Sequence, residues 1–331
     1  MVIDDFGARH LAAQCSWNPS EIRYAVSTDG RTWTTTVFAP PIDRLELSPR
    51  LAVSGKTLYL AYTVDKAIDG GCGDDGLEDR GVYVRTRDLP NGVWSAPRLI
   101  GVTRDHLESL RVAGSAIHAT VLNEADGRAY YERLNGDVTQ RYLIPGDVRG
   151  TSLRVGDDGR GRVAYGTPQG ISYGSVANGV FTSSLIPNTS RGQGPDLVLA
   201  PGNIAWIGFV RAPDSTGGCA GGEDASVDGT WIATNLSGRW VSQRLTTILG
   251  GTSLSVDTRT GEINVIVSVG GRVIRYHRLP AEATWRHETI VRGSFSAFGI
   301  KQDPISGAWI VALQEESPDA LSSEVAVMSS N

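Results

Sequence analysis

The chain has 331 residues, 40 % of them hydrophobic and 20 % charged, with 40 Gly and 15 Pro, a composition of folded domains and not of a disordered tail. No apolar run approaches the roughly 18 residues of a transmembrane helix, and the opening MVIDDFGARH has neither the basic nor the apolar region of a signal peptide. With 31 basic and 36 acidic residues the formal charge is −5, so no whole-molecule field attracts a polyphosphate, and neither nucleic acid nor a membrane span is expected.

Read in chain order, residues 1–40 contain HLAAQCSW, IRYAVS and TWTTTVF, which fit a second, third and fourth strand with little room for a first. Six later segments each read as strand, turn, strand: RLAVSGKTLYLAYTV from 50, SLRVAGSAIHATVL from 109, SLRVGDDGRGRVAYG from 152, DLVLAPGNIAWIGFV from 196, SLSVDTRTGEINVIVSV from 253 and AFGIKQDPISGAWIVAL from 297. Gly, Asp or Pro supplies each turn. A third strand follows every pair (VYVRTR, AYYERL, ISYGSV, TWIATN, VIRYHR and EVAVMS), and five of these lead into a fourth strand.

The fourth strand commonly opens on an aromatic residue, and these positions set the period. Trp33, Trp94, Val138, Phe181, Trp240 and Trp285 are separated by 61, 44, 43, 59 and 45 residues. A unit of about 44 residues is the span of a four-stranded propeller blade. The two long intervals carry about 16 extra residues each, between second and third strands. The expected fold is therefore all-β, a β-propeller of four-stranded antiparallel blades in a single domain over 1–331. Blades are placed at about 1–40, 47–100, 107–145, 150–188, 194–247, 251–293 and 295–331. Counting third strands favours seven blades, the last with an abbreviated outer edge; six follow if the two chain ends pair to close the array.

Ser27-Thr28-Asp29-Gly30-Arg31-Thr32-Trp33 resembles the Asp-box of sialidase-like (BNR repeat) propellers, S-x-D-x-G-x-x-W, in a copy one residue shorter between Asp and Gly. Reduced copies stand at Asn91-Gly92-Val93-Trp94, Asn178-Gly179-Val180-Phe181 and Ser237-Gly238-Arg239-Trp240. The motif is structural: Asp and Ser bond the backbone of a tight turn, Gly takes a positive φ, and Trp packs between sheets. The F-R-I-P segment of sialidases is absent, and spacing locates no Tyr–Glu nucleophile pair.

In such a propeller first strands line a central channel, and the blade connections share a face with the loops between second and third strands. Arg111 and Arg154 hold the same repeat position, and Arg50 lies two residues earlier with the same parity. Three guanidinium groups so placed suit a carboxylate, as the arginine cluster of sialidases holds a sugar acid. The alternative is that they pair with Glu46, Asp43, Glu108 or Asp105 and fill a wet channel. Glu46, Asp105, His106 and Glu108 are the candidates for acid or base, although spacing alone gives no carboxylate separation. His10 and His118 hold equivalent second-strand positions and read as structural.

The long loops carry matched G-G-C triplets, at Gly70-Gly71-Cys72 and Gly217-Gly218-Cys219. A Cys72–Cys219 disulfide would staple them across the mouth and place the chain in an oxidising compartment; a reduced chain is the alternative, and Cys15 is left over in either case. Asp69, Asp74 and Asp75 are weak calcium ligands by type, in a spacing that fails the EF-hand pattern, so no cofactor is expected. Together these features point to a secreted or extracytoplasmic propeller, without its signal peptide in this chain, that binds a carbohydrate or other small anion. The alternatives are a sialidase-like glycoside hydrolase or polysaccharide lyase, and a scaffold for a protein partner.

Overall fold

The computed structural model describes residues 1–15, 21–38, 44–66, 81–212, 228–257, 259–269, 272–292, 295–302, 309–315 and 325–329. Cys72, Cys219, Asp69, Asp74 and Asp75 lie outside them, as do the side chains of Cys15 and Glu46. No α-helix occurs among the described residues.

The strands form seven antiparallel meanders. The first holds β1 (Val2–Ile3), β2 (Arg9–Cys15), β3 (Glu21–Ser27) and β4 (Thr34–Phe38); the second β5 (Arg44–Ser54), β6 (Thr57–Lys66), β7 (Gly81–Asp88) and β8 (Arg98–Ile100). The third holds β9 (Asp105–Ala113), β10 (Ala116–Asn123), β11 (Arg128–Asn135) and β12 (Val138–Leu143); the fourth β13 (Thr151–Val155), β14 (Gly161–Thr167), β15 (Gly170–Ala177) and β16 (Val180–Leu185). The fifth holds β17 (Gly192–Ala200), β18 (Ile204–Arg211), β19 (Gly229–Thr234) and β20 (Val241–Thr246); the sixth β21 (Gly251–Val256), β22 (Ile263–Val269), β23 (Arg272–Arg278) and β24 (Arg286–Arg292). The last is three-stranded: β25 (Phe295–Gln302), β26 (Trp309–Glu315) and β27 (Val325–Ser329).

Six sheets are thus complete four-stranded blades, and the expectation of seven is corrected to six. Counting third strands registers β27 as a blade, although its sheet has no outer strand among the described residues. A second correction concerns the N-terminus, where a first strand does exist: β1 pairs Val2 with His10 and Ile3 with Arg9.

The chain divides into two compact units, Met1–Pro145 with the first three sheets and Gly146–Asn331 with the other four. In each unit the core lies between consecutive sheets. In the first, Tyr24, Leu58 and Tyr62 join the first two sheets, and Val82, Leu107, Leu110 and Ile117 join the second to the third. In the second unit the strand period of two sorts side chains between neighbours. In β18, Ile207 and Phe209 face the fourth sheet, whereas Trp206 faces the sixth. In β22, Val265 and Val267 face the fifth sheet, whereas Ile266 faces the seventh. Covering both faces explains the near-continuous apolar runs of these strands, at about 1.5–3 kcal/mol per fully buried large side chain.

Three of the fourth-strand aromatics fasten their blade to the one before it. Trp94 meets Tyr24 and Phe38 edge-on at 5.1 and 5.6 Å, Trp240 meets Tyr173 at 5.1 Å, and Trp285 meets Trp206 at 6.1 Å. Val138, in the aromatic position of the third sheet, is exposed. The Asp-box turn forms as expected. Asp29 Oδ1 accepts the amides of Arg31 and Thr32, both at 2.7 Å, and Ser27 Oγ accepts that of Gly30 at 2.8 Å, with Gly30 at φ +73°. The Thr32 and Arg31 amides hold the Asp29 carboxyl well below the usual carboxylate range.

The two histidines expected to be structural are so. His10 Nδ1 lies 2.7 Å from the Tyr24 hydroxyl and His118 Nδ1 lies 2.6 Å from that of Tyr131. In each case the Tyr sits diagonally across the second and third strands of its sheet.

Candidate functional site

The first strands share a feature that the repeat pattern does not announce. β5, β9, β17 and β25 each carry a register shift against their second strand. Such bulges re-aim side chains and concentrate beside functional sites. In β5 the segment is Ser48-Pro49-Arg50-Leu51, with Ser48 at φ 53°; in β17 it is Gly194-Pro195-Asp196-Leu197, with Gly194 at φ 57°. A left-handed residue followed by Pro is the same device twice, because Pro lacks the ladder donor that a bulge leaves unpaired. Glycine takes this conformation freely; serine takes it at a cost on the order of 1 kcal/mol.

Strain at Ser48 leads to an expected result. Ser48→Gly should leave stability unchanged or raise it by up to about 1 kcal/mol, whereas Ser48→Val, β-branched, should lower it by about 1–2 kcal/mol. Urea unfolding of both variants tests this, and a shift of the two in the same direction would contradict it.

Around this bulge the first unit collects a polar group from three sheets. The Ser48 amide donates to Gln14 Oε1 at 3.4 Å, and Ser48 Oγ lies 3.3 Å from His106 Nε2. Arg50 donates from Nε to the Glu108 carbonyl at 3.1 Å and from Nη1 to the Pro49 carbonyl at 3.2 Å. Arg111 donates from Nη1 to the Leu110 carbonyl at 2.6 Å. Neither Arg50 nor Arg111 has a carboxylate partner among the described residues. Arg50 is exposed and Arg111 half-buried. A guanidinium bonded to carbonyls keeps its remaining N–H groups available to a planar anion, although the Glu108 charge acts on Arg50 from nearby. Glu108 is itself the extra residue of the β9 bulge. Ser48 and Gln14 escaped the sequence reading; the Ser-Pro-Arg and Gly-Pro-Asp echo was the available signal.

Asp105, another candidate carboxylate of this unit, is not accessible. Asp105 is fully buried and takes a two-pronged contact from Arg141, with Nη1 to Oδ2 at 2.7 Å and Nη2 to Oδ1 at 3.0 Å. Asn123 Nδ2 and the Val102 amide complete its shell at 2.9 and 3.0 Å. Arg141 Nη1 also pairs with buried Glu132, and its guanidinium lies 3.8 Å from the Tyr130 ring centre. Burial works to lower the Arg141 pKa, but Asp105 and Glu132 outweigh it and the net shift is upward. Burial, aided by the Asp105 charge, raises the Glu132 pKa against the pull of Arg141. Asp105 thus anchors the third sheet.

Arg154 belongs to the second unit and is committed there. It donates to the Leu153 carbonyl at 2.8 Å and pairs with Asp196 at 3.4 Å. Asp196 also accepts from Ser152 Oγ at 3.1 Å and from the Leu254 amide at 2.7 Å. One carboxylate therefore ties the first strands of the fourth, fifth and sixth sheets together. Asp196 is a partner that the pairing alternatives for these arginines did not include.

No family model matches the chain, and no curated protein matches it. Solved structures do match in fold. Trypanosoma rangeli sialidase in complex with sialic acid superposes with a TM-score of 0.58 at 9 % identity, covering 98 % of this chain and 52 % of that one. The Hadza microbial sialidase gives 0.51 at 13 % identity, covering 95 % of this chain and 62 % of the other. The chain therefore spans only part of these sialidases. Kuenenia stuttgartiensis hydrazine synthase gives 0.62 at 11 % identity, covering 95 % and 92 %. The chain has the sialidase-like β-propeller fold. Neighbours named for unlike chemistries mean that the fold leaves activity to the site.

Proposed function

We propose that the chain is an extracytoplasmic binding propeller that takes an acidic carbohydrate on the bulged first strands of its first unit, with Arg50 and Arg111 donating to the ligand carboxylate. The observation that carries this reading is the state of those two guanidinium groups: on adjacent first strands and, among the described residues, hydrogen-bonded to backbone carbonyls only. Fold neighbours include a sialidase in complex with sialic acid, which agrees with a carboxylated sugar as the ligand class. Ser48 and His106 would supply hydroxyl and imidazole contacts to the sugar body.

The contact of Ser48 with His106, and Glu108 beside Arg50, favour a glycoside hydrolase as the second reading. Glycoside hydrolysis ordinarily needs two carboxyl groups flanking the bond. Among the described residues this group brings Glu108 alone, since Asp105 is buried, and binding is the better-supported reading.

A glycan array run beside a panel of fluorogenic glycosides separates the two. Arg50→Ala and Arg111→Ala should each weaken an acidic glycan by about 10- to 100-fold, or about 1.4–2.8 kcal/mol, with neutral glycans unaffected. Unchanged affinity in both variants would overturn the assignment. Turnover that is lost in Glu108→Gln would select the hydrolase.

A further inference from the structure

A second guanidinium environment lies in the other unit, at the opposite end of the sheets from the first-strand bulges. Arg278, the last residue of β23, sits in the notch between two indoles. Its Cζ is 5.5 Å from the ring centre of Trp206 and 5.7 Å from that of Trp285, and the two rings meet at 87°. Cation–π attraction holds the side chain there, yet it satisfies none of the five N–H donors. Among the described residues Arg278 makes no hydrogen bond or ion pair, and its Nε is buried without a partner. Buried donors are ordinarily bonded, so this buried Nε–H calls for an explanation.

The space beside it provides one. Arg278 forms one side of a half-open pocket of about 200 Å³ between the fifth and sixth sheets, lined by Ile232, Leu236, Val241, Thr234, Ser237 and Gln243. Ile232, Leu236 and Val241 make an apolar wall, and two hydroxyls and an amide stand around it. Liquid water occupies about 30 Å³ per molecule, so the volume corresponds to about seven waters, or a ligand of about ten non-hydrogen atoms. A cation without a counter-ion, an apolar wall and a few polar groups together specify a small anion with an apolar body.

We propose that this cavity is a binding site for a small monocarboxylate with an aromatic or alicyclic body, whose carboxylate pairs with Arg278 while its body packs on Ile232, Leu236 and Val241. The site is separate from the Arg50 and Arg111 group and does not depend on the reading given to it. Because Arg278 rests on Trp206 and Trp285, pairing of its guanidinium with a ligand provides the optical signal.

Benzoate and its neutral isostere benzamide are titrated into the full chain, followed by tryptophan fluorescence and by calorimetry. Benzoate should bind saturably and raise the unfolding temperature, and benzamide should bind at least about tenfold more weakly. Arg278→Gln should remove that preference. Because this substitution also strips a cation from two indoles, Val241→Trp serves as the second variant. It fills the cavity from an exposed strand position (Val241 is 53 % exposed) and should abolish binding with the unfolding temperature unchanged. Failure of benzoate to saturate, equal affinity for benzamide, or undiminished binding in Val241→Trp would each overturn the proposal.

Discussion

Arg141→Ala is expected to destabilise the first unit by about 3–5 kcal/mol, because it leaves two buried carboxyl groups with no counter-charge. Asp105 and Glu132 have essentially no exposed surface, and both depend on the same guanidinium. The attraction within such a cluster does little more than offset desolvation of its members while it is whole. Removing the cation exposes the full desolvation penalty. Glu132 can escape by binding a proton, since burial already raises its pKa and its Oε2 has no partner. Asp105 retains the Asn123 amide and the Val102 N–H as donors. Adding Glu132→Gln to Arg141→Ala should therefore recover part of the loss by removing one uncompensated charge. Urea unfolding of the single and double variants measures both quantities. A loss below about 1 kcal/mol in Arg141→Ala would mean that the cluster is hydrated and not buried.

The second large effect is a pH dependence at His118. This imidazole is fully buried in β10, with Nδ1 on the Tyr131 hydroxyl and Nε2 without a partner. Burial, reinforced by the charge of Arg133, lowers its pKa from 6.5 to about 4. The unfolded chain takes up a proton near pH 6.5, and the folded chain does so only near pH 4. Between those values the unfolded state binds more protons, so stability falls as the pH falls. The expected loss from this residue is about 2 kcal/mol at pH 5 and on the order of 3 kcal/mol once both states are protonated. His118→Gln keeps a hydrogen-bonding group for Tyr131 and does not titrate. The stability difference between the parent chain and this variant should shrink or reverse between pH 7.5 and pH 5. A difference independent of pH would show that His118 is not held neutral.

Sequence reasoning reached the parts of the fold that depend on neighbours in the chain. The Asp-box turn closes within six residues through bonds of Ser27 and Asp29 to the next amides. The hairpin at Asn178-Gly179 needs two positive φ angles, and both are present at 53° and 76°. Aromatic spacing exposed the blade period because Trp94, Trp240 and Trp285 each fill the gap to the preceding sheet. The short first strand β1 escapes the pattern because two residues carry no periodicity, and counting third strands gives seven blades instead of six because a third strand does not guarantee a fourth. The bulges were missed because a single extra residue leaves the alternation of a strand almost intact.

By itself, then, the amino-acid sequence determined an all-β chain of repeated strand–turn–strand units, its turn chemistry and the aromatic anchors between sheets, since each is set by interactions over a few residues or by a regular period. Which arginine is available and which is spent was decided by the tertiary structure. Arg154 meets Asp196 from 42 residues away and Arg50 meets the Glu108 carbonyl from 58 residues away, so identical side chains at like positions end with unlike partners. Arg278 shows the same principle: nothing in VIRYHR distinguishes it from its neighbours, and only the packing of the fifth sheet on the sixth places it between two indoles with its Nε unpaired among the described residues.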